Sequence, residues 1–555
     1  MNQRRLKLSF SSVSLRFSPY IKEGVRIPFI LLSLIFILVV IFVLIFNLSG
    51  SMPLFLQRKI FREGIVGQPQ NLNPLFSSDN EIDQTISNLI FRGLTKFKPD
   101  GQWQDDLAET IDVSEDGLTY TIQIKDNIYW HDGQKLTVED VIFTYQKIQM
   151  PDYLGFWREA FKEVSFEKID DYHLKITLSQ QLSSFPQNLT VGILPRHLLA
   201  NLNIKQLENA SFSLSPTGEG EFAFSQKKFQ NNQKDKISLL VLKRQNGDGN
   251  INRLEFYFYP DKEALINAYK AGEIDAFRVP DEEDLEFLKD WDNFNLYQIP
   301  MLLRFYGLFF NTISEKPINK AEVRQALAYG LNKEEFVQDV FRTPPPTLFG
   351  SINSQSWAFS SEGAIVRFDS EKARQILQEA QAENLDLTLT IPDFPLAEKI
   401  GDNLKKQWEK IGVTLQIKMV SLDDFEHEVL KDRNFEVLFY GQEISSDPDQ
   451  YPLWHSTRKD YPGLNLSQIQ SKRIDKALEE GRQLADLSER KDKYADFQKQ
   501  FQIEMPAILL YHPLYAYIVQ KRVTGINFDE LGIPADRFDT IDSWNIGESL
   551  KIKIF

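Results

Sequence analysis

Three acidic side chains stand close together in the stretch FEVLFYGQEISSDPDQYPLWHS: Glu443, Asp447 and Asp449. Carboxylates at such spacing can divide the roles of general acid and general base, but no histidine or metal motif is placed to give them that work. The chain has no G-x-S-x-G elbow, no P-loop and no H-E-x-x-H helix, so hydrolase, ATPase and metalloprotease chemistry lack their minimal parts. Glu426-His427-Glu428 has metal-ligating residue types, yet adjacent residues on a helix point in different directions, and a solvated face is the better reading. There is no cysteine, which excludes disulfides and thiolate metal sites. The expectation is a binding protein with no catalytic residues, no metal and no cofactor.

Binding asks less of the sequence. A strand ending in a loop rich in Gly, Ser, Asp and Pro is where an α/β lobe places ligand contacts, beyond the carboxyl end of the strand. Tyr440, Gly441, Gln442, Tyr451 and Trp454 are therefore candidate walls of a cleft, and each can equally be core.

The element that organises the rest is Ser114 to Met150, SEDGLTYTIQIKDNIYWHDGQKLTVEDVIFTYQKIQM. Leu118, Tyr120, Ile122 and Ile124 alternate with polar residues, as in a strand with one buried face. His131-Asp132-Gly133 supplies a turn, and Thr137 with Asp140 three residues later can cap a helix. Val138, Val141, Ile142, Tyr145 and Ile148 then make one apolar stripe before Pro151.

That order of strand, WHDG turn and T-x-x-D capped helix resembles the signature of the family 5 extracytoplasmic solute-binding proteins, the peptide-binding receptors of ABC importers. AYKAGEIDAF is a second match, ILPRHLL resembles the family's I-x-P-x-H-x-L run, and SPTGEGEF resembles its G-T-G-P-Y turn with Glu219 and Glu221 intruding at the tip. His197, from the ILPRHLL match, reads as structural or capping rather than catalytic. The resemblance implies an α/β, two-lobed periplasmic-binding-protein fold (type II, cluster C-like) with a hinge of two crossings. It places lobe 1 at 61–300, with an inserted subdomain at about 96–210, lobe 2 at 301–510, and a return to lobe 1 at 511–555.

Within lobe 2, Leu385 to Ile391, a helix carrying Ile400, Leu404 and Trp408, and Val413 to Met419 read as a βαβ unit. MPAILLYHPLYAYIVQ reads as a single strand returning to lobe 1. In the resembled fold the N-L-N-P segment, with Asn73, lies near the mouth of the cleft; the alternative is that it only shapes a turn. Peptide binders of the family commonly hold the ligand's amino terminus with a loop aspartate. Ile444 occupies that position here, and Glu443 is the nearest acidic substitute. An arginine that some of them place before the helix near Pro395, for the ligand carboxylate, is missing from TIPDFPLA, so that anchor is absent or supplied elsewhere.

The resemblance implies delivery of peptides, oligopeptides first, to ABC permease subunits by hinge closure around the ligand. A surface sensor or structural protein using the same two lobes is the rival. The net charge of −15 argues against a nucleic-acid partner. Residues 27–48 are free of charge and long enough to span a bilayer, and the basic stretch 1–26 before them orients the N-terminus to the cytoplasm. A cleaved signal peptide is the competing reading, but its apolar core is usually much shorter. The expectation is an uncleaved single-pass anchor, a tether at 49–60, and an extracytoplasmic binding domain.

Overall fold

The computed structural model describes residues 59–547 except 79, 99–101, 231–232, 246–248, 280–290, 362–365 and 529. The predicted membrane span at 27–48 lies outside the described residues, as do the basic tail, most of the tether and 548–555. Among the described residues no helix is long and apolar enough to cross a membrane.

Two mixed sheets carry the architecture. The first has seven strands in the order Phe294–Pro300, Leu514–Gln520, Ala276–Arg278, Ile60–Val66, Arg253–Tyr259, Gln233–Arg244 and Phe222–Gln230. Ile60–Val66 runs parallel to both of its neighbours, the arrangement expected when helices supply the crossovers. One of these helices is Lys262–Lys270, whose N-cap Asp261 accepts from the Ala264 amide and whose exit uses Gly272 at φ 71°. The second sheet has five strands in the order Thr414–Val420, Asp386–Pro392, Val437–Glu443, Arg304–Phe310 and Ala507–Tyr511. Its first two strands are parallel and joined by the helix Ala397–Glu409, which buries Ile400, Leu404 and Trp408. This is the βαβ unit that the spacing predicts.

Strand period explains how the five-stranded sheet covers both its faces. Leu308 and Phe310 join Val437 and Phe439 in one core, while Phe305 and Phe309 join Leu438 in another on the opposite face. The chain passes between the sheets twice, at Pro300–Arg304 and at Tyr511–Leu514. The two passages run side by side, with the Met301 amide donating to the Pro513 carbonyl at 2.9 Å. MPAILLYHPLYAYIVQ is thus two strands, one in each sheet, rather than a single strand. His512-Pro513 interrupts it, since proline has no N–H to donate to a ladder.

Sharing one hydrophobic core with the first sheet is a four-stranded antiparallel sheet, Ala108–Val113, Thr119–Ile124, His173–Leu178 and Val164–Lys168. Ser114 to Met150 folds here as strand, turn and helix Val138–Gln149, with the Asp140 carboxylate accepting from the Thr137 amide at 3.0 Å. Gly133 has φ 90° in the turn. The His131 ring accepts from the Gly218 amide at 3.2 Å and lies 3.0 Å from the Gly220 carbonyl, so the WHDG turn is pinned to the SPTGEGEF turn. His197 lies 2.7 Å from Asp132 and completes this structural cluster. Glu219 corrects the expectation of an acidic tip. Its carboxylate is buried and accepts from the Arg92 amide at 2.9 Å, and burial pushes its pKa well up.

Candidate functional site

Paired strands bring the site together. Arg304–Phe310 and Val437–Glu443 are antiparallel with Arg304 opposite Glu443 and Tyr306 opposite Gly441. Residues directly opposite share a face, so Arg304, Tyr306, Gly441 and Glu443 form one patch beside the first crossing. Glu443 is exposed and its Oε1 accepts from Arg304 Nε at 3.0 Å and from Nη2. A Cβ on Gly441 would come within 2.8 Å of the Tyr306 ring, so glycine is what allows that ring to lie across the strand. Tyr306 in turn stacks on Tyr511 at 5.3 Å and on Phe439 at 5.5 Å.

The other sheet contributes from across the crossings. Arg278, the last residue of its strand, pairs with Glu81 at 2.5 Å and lies over the Tyr515 ring at 5.4 Å. Glu81 opens the helix Glu81–Ile90, where a carboxylate is favoured by the helix dipole. Burial pushes the Tyr306 hydroxyl up in pKa, and the positive charges of Arg304 and Arg278 oppose that shift. Arg304 is raised although burial opposes its charge, because Glu443 bonds it and Glu81 adds a second negative charge. Arg304 and Tyr306 of one sheet, Arg278 of the other and Glu81 of the adjoining helix are therefore within electrostatic reach of one another around a shared floor.

The loop after Glu443 is built differently. Asp447 is sealed with Arg490, which reaches its two oxygens at 2.9 and 3.2 Å. Asp449 receives Arg482 Nη2 at 3.0 Å, the Tyr451 amide at 3.0 Å and the Ser184 hydroxyl at 3.4 Å. These matched charges hold the loop, and neither carboxylate is presented for acid-base work. Tyr451 stacks on His455 at 3.9 Å, and the Arg482 guanidinium lies over the Tyr451 ring at 4.1 Å. Ser184 belongs to the segment following the four-stranded sheet, and the amide of its neighbour Ser183 donates to the Arg482 carbonyl at 2.9 Å. The loop thus joins the two halves away from the crossings.

The sequence-predicted wall residues separate under this geometry. Gly441 and Glu443 lie on the shared floor. Tyr440 and Gln442 point to the opposite face, where Tyr440 stacks on Phe425 at 5.5 Å and the Gln442 amide donates to the Leu464 carbonyl at 2.9 Å. Trp454 is not a wall residue in this structure: it is fully buried between Phe309 and Phe501, and its indole donates to Gln450. Asn73 is likewise buried, its side chain accepting from the Leu75 amide at 3.0 Å, so it shapes a turn. Sequence reasoning missed Arg278, Glu81, Arg304 and Tyr306. The available signal was a charged residue at the cleft-facing end of an otherwise apolar strand.

Residues 102–462, more than half of the chain, match the family described as bacterial extracellular solute-binding proteins, family 5 middle region. The chain belongs to this family. Its members are binding receptors and not enzymes. This family 5 protein is 27% identical to the oligopeptide-binding protein AppA of Bacillus subtilis over 84% of its own length and 88% of the relative's. It superposes on NikZ of Campylobacter jejuni, solved in complex with Ni(L-His), with a TM-score of 0.71 at 26% identity, covering 89% of this chain and 100% of that one. AppA of Bacillus subtilis with a bound nonapeptide gives a TM-score of 0.68 at 24% identity, covering 88% and 99%. These neighbours establish a two-lobed α/β periplasmic binding fold.

Proposed function

We propose that this protein captures peptides, oligopeptides by preference, outside the membrane and delivers them to the permease of an ABC importer. The observation that supports it most is the floor beside the two crossings, where Arg304, Tyr306 and Glu443 of one sheet lie within electrostatic reach of Arg278, at a strand end of the other sheet, and of its partner Glu81 on the helix Glu81–Ile90. A solute resting there touches both lobes, and the form in which it does so is selected by the ligand. The peptide-binding names of the relatives support the solute class. Glu443, exposed at the end of its strand, is positioned to take the ligand's amino terminus, with Gly441 leaving space for backbone beside Tyr306.

The uncharged run at 27–48, preceded by basic residues, supports a single-pass anchor that keeps the receptor beside its permease. Native mass spectrometry of the full-length protein, purified without denaturation, tests the solute class. A ladder of co-purifying peptides is expected. A single non-peptide solute would overturn the reading.

A further inference from the structure

Two ion pairs of the interior are sealed on both sides. Arg537 and Glu63 are each 3% exposed, and Arg490 and Asp447 are nearly as enclosed. The two pairs beside the crossings differ. Arg278 and Glu81 keep about a third of their side-chain surface open, at 34% and 32%, and Arg304 and Glu443 keep 29% and 65%. Both arginines lie at strand ends, one on each sheet, and both act on the Tyr306 hydroxyl.

Partly solvated pairs are weakly held, because water competes for each charge. An incoming carboxylate can therefore exchange with a glutamate at small cost. Glu443 uses one oxygen on the Nε/Nη2 edge of Arg304, whereas a ligand carboxylate can offer two oxygens to a guanidinium fork. Tyr515 beneath Arg278, and Tyr306 beside Arg304, limit where each guanidinium can move.

We propose that Arg278 and Arg304, one from each lobe, together hold a carboxylate of the ligand in the cleft floor. Glu81 and Glu443 neutralise the two cations until the ligand arrives, and Glu443 is then released toward the ligand's ammonium group. The site selects solutes bearing both charges. This inference rests on the peptide reading above and supplies the carboxylate anchor that is missing before the helix Ala397–Glu409. The carboxylate has two sources, a peptide's C-terminus or an acidic side chain.

Calorimetry on the full-length protein in detergent tests it, with alanine peptides of two to nine residues, their C-terminal amides, and amides carrying one internal aspartate. The free acids are expected to bind about tenfold or more tightly than the plain amides, and Arg304→Gln and Arg278→Gln to erase most of that difference. Rescue of binding by the aspartate-bearing amides assigns the site to side-chain carboxylates, and no rescue assigns it to the C-terminus. Peptides that bind with equal acid and amide affinities overturn the proposal while leaving the peptide reading intact. If no peptide binds the wild-type protein, both fall. The wild-type comparison stands even if a variant does not fold.

Discussion

Glu443 and Arg304 are direct partners across two antiparallel strands, 139 residues apart in sequence, at the edge of the floor between the lobes. The pair is open to solvent on the glutamate side, so its own contribution to stability is small, below ~1 kcal/mol. Glu443→Gln should therefore leave chemical denaturation almost unchanged. Binding of peptides with a free amino terminus should weaken by about tenfold, with acetylated peptides little affected. Equal losses for both peptide types in calorimetry would exclude Glu443 as the amino-terminus anchor.

A second contact joins the lobes through Ser183 and Ser184. The Ser183 hydroxyl donates to the Leu484 carbonyl, and the Ser184 hydroxyl reaches Asp449. Removing both hydroxyls in a Ser183→Ala, Ser184→Ala variant should shift the ligand-free protein toward more open forms. Small-angle X-ray scattering checks this as a larger radius of gyration without loss of thermal stability. An unchanged radius would mean that this contact does not set the opening of the lobes.

The parts of the fold that were legible share one property: they are local. The alternation in Thr119–Ile124, the HDG turn and the Thr137–Asp140 cap all act within a few residues, and each formed as the pattern predicts. The floor was not legible, because Arg304 meets Glu443 only through strand pairing, and Arg278 comes within electrostatic reach of Tyr306 only through the crossings. Trp454 shows the converse. An aromatic in a loop beyond a strand reads as a wall, but Phe309 and Phe501 arrive from distant segments and enclose it. Period 2 also carried more information than was drawn from it, since it sends Tyr440 and Gly441 to opposite faces.

Trp454 should accordingly behave as a core residue. Trp454→Ala removes a fully buried indole and should cost about 3–5 kcal/mol in chemical denaturation. Trp454→Phe, which keeps the stack on Phe309, should cost much less and leave peptide affinity near the wild-type value. A Phe variant that folds well but loses affinity selectively would instead place Trp454 in the ligand's wall.

Gly441 should resist substitution for a reason tied to the floor. A methyl group there meets the Tyr306 ring at 2.8 Å, and that ring is confined by Tyr511 and Phe439. Gly441→Ala should displace Tyr306 and lower peptide affinity. Combining it with Tyr306→Ala should recover part of the loss in a double-mutant cycle. Additive losses would mean that the two residues do not act on the ligand through each other.

His131 gives the fold a pH dependence with a definite sign. Burial lowers its pKa from the usual 6.5, and its ring accepts from the Gly218 amide, a bond that protonation of that nitrogen removes. The native state therefore holds His131 neutral, and its contribution to stability is present above pH 6.5 and is lost as pH falls through and below that value. Burial lowers His512 as well, which adds in the same direction, while Asp536, pushed up to about 7 by burial, opposes it. The difference between wild type and His131→Asn isolates the term. Denaturant midpoints measured from pH 7.5 to pH 5 should fall more steeply in the wild type than in the variant, and parallel curves would rule out this role for His131.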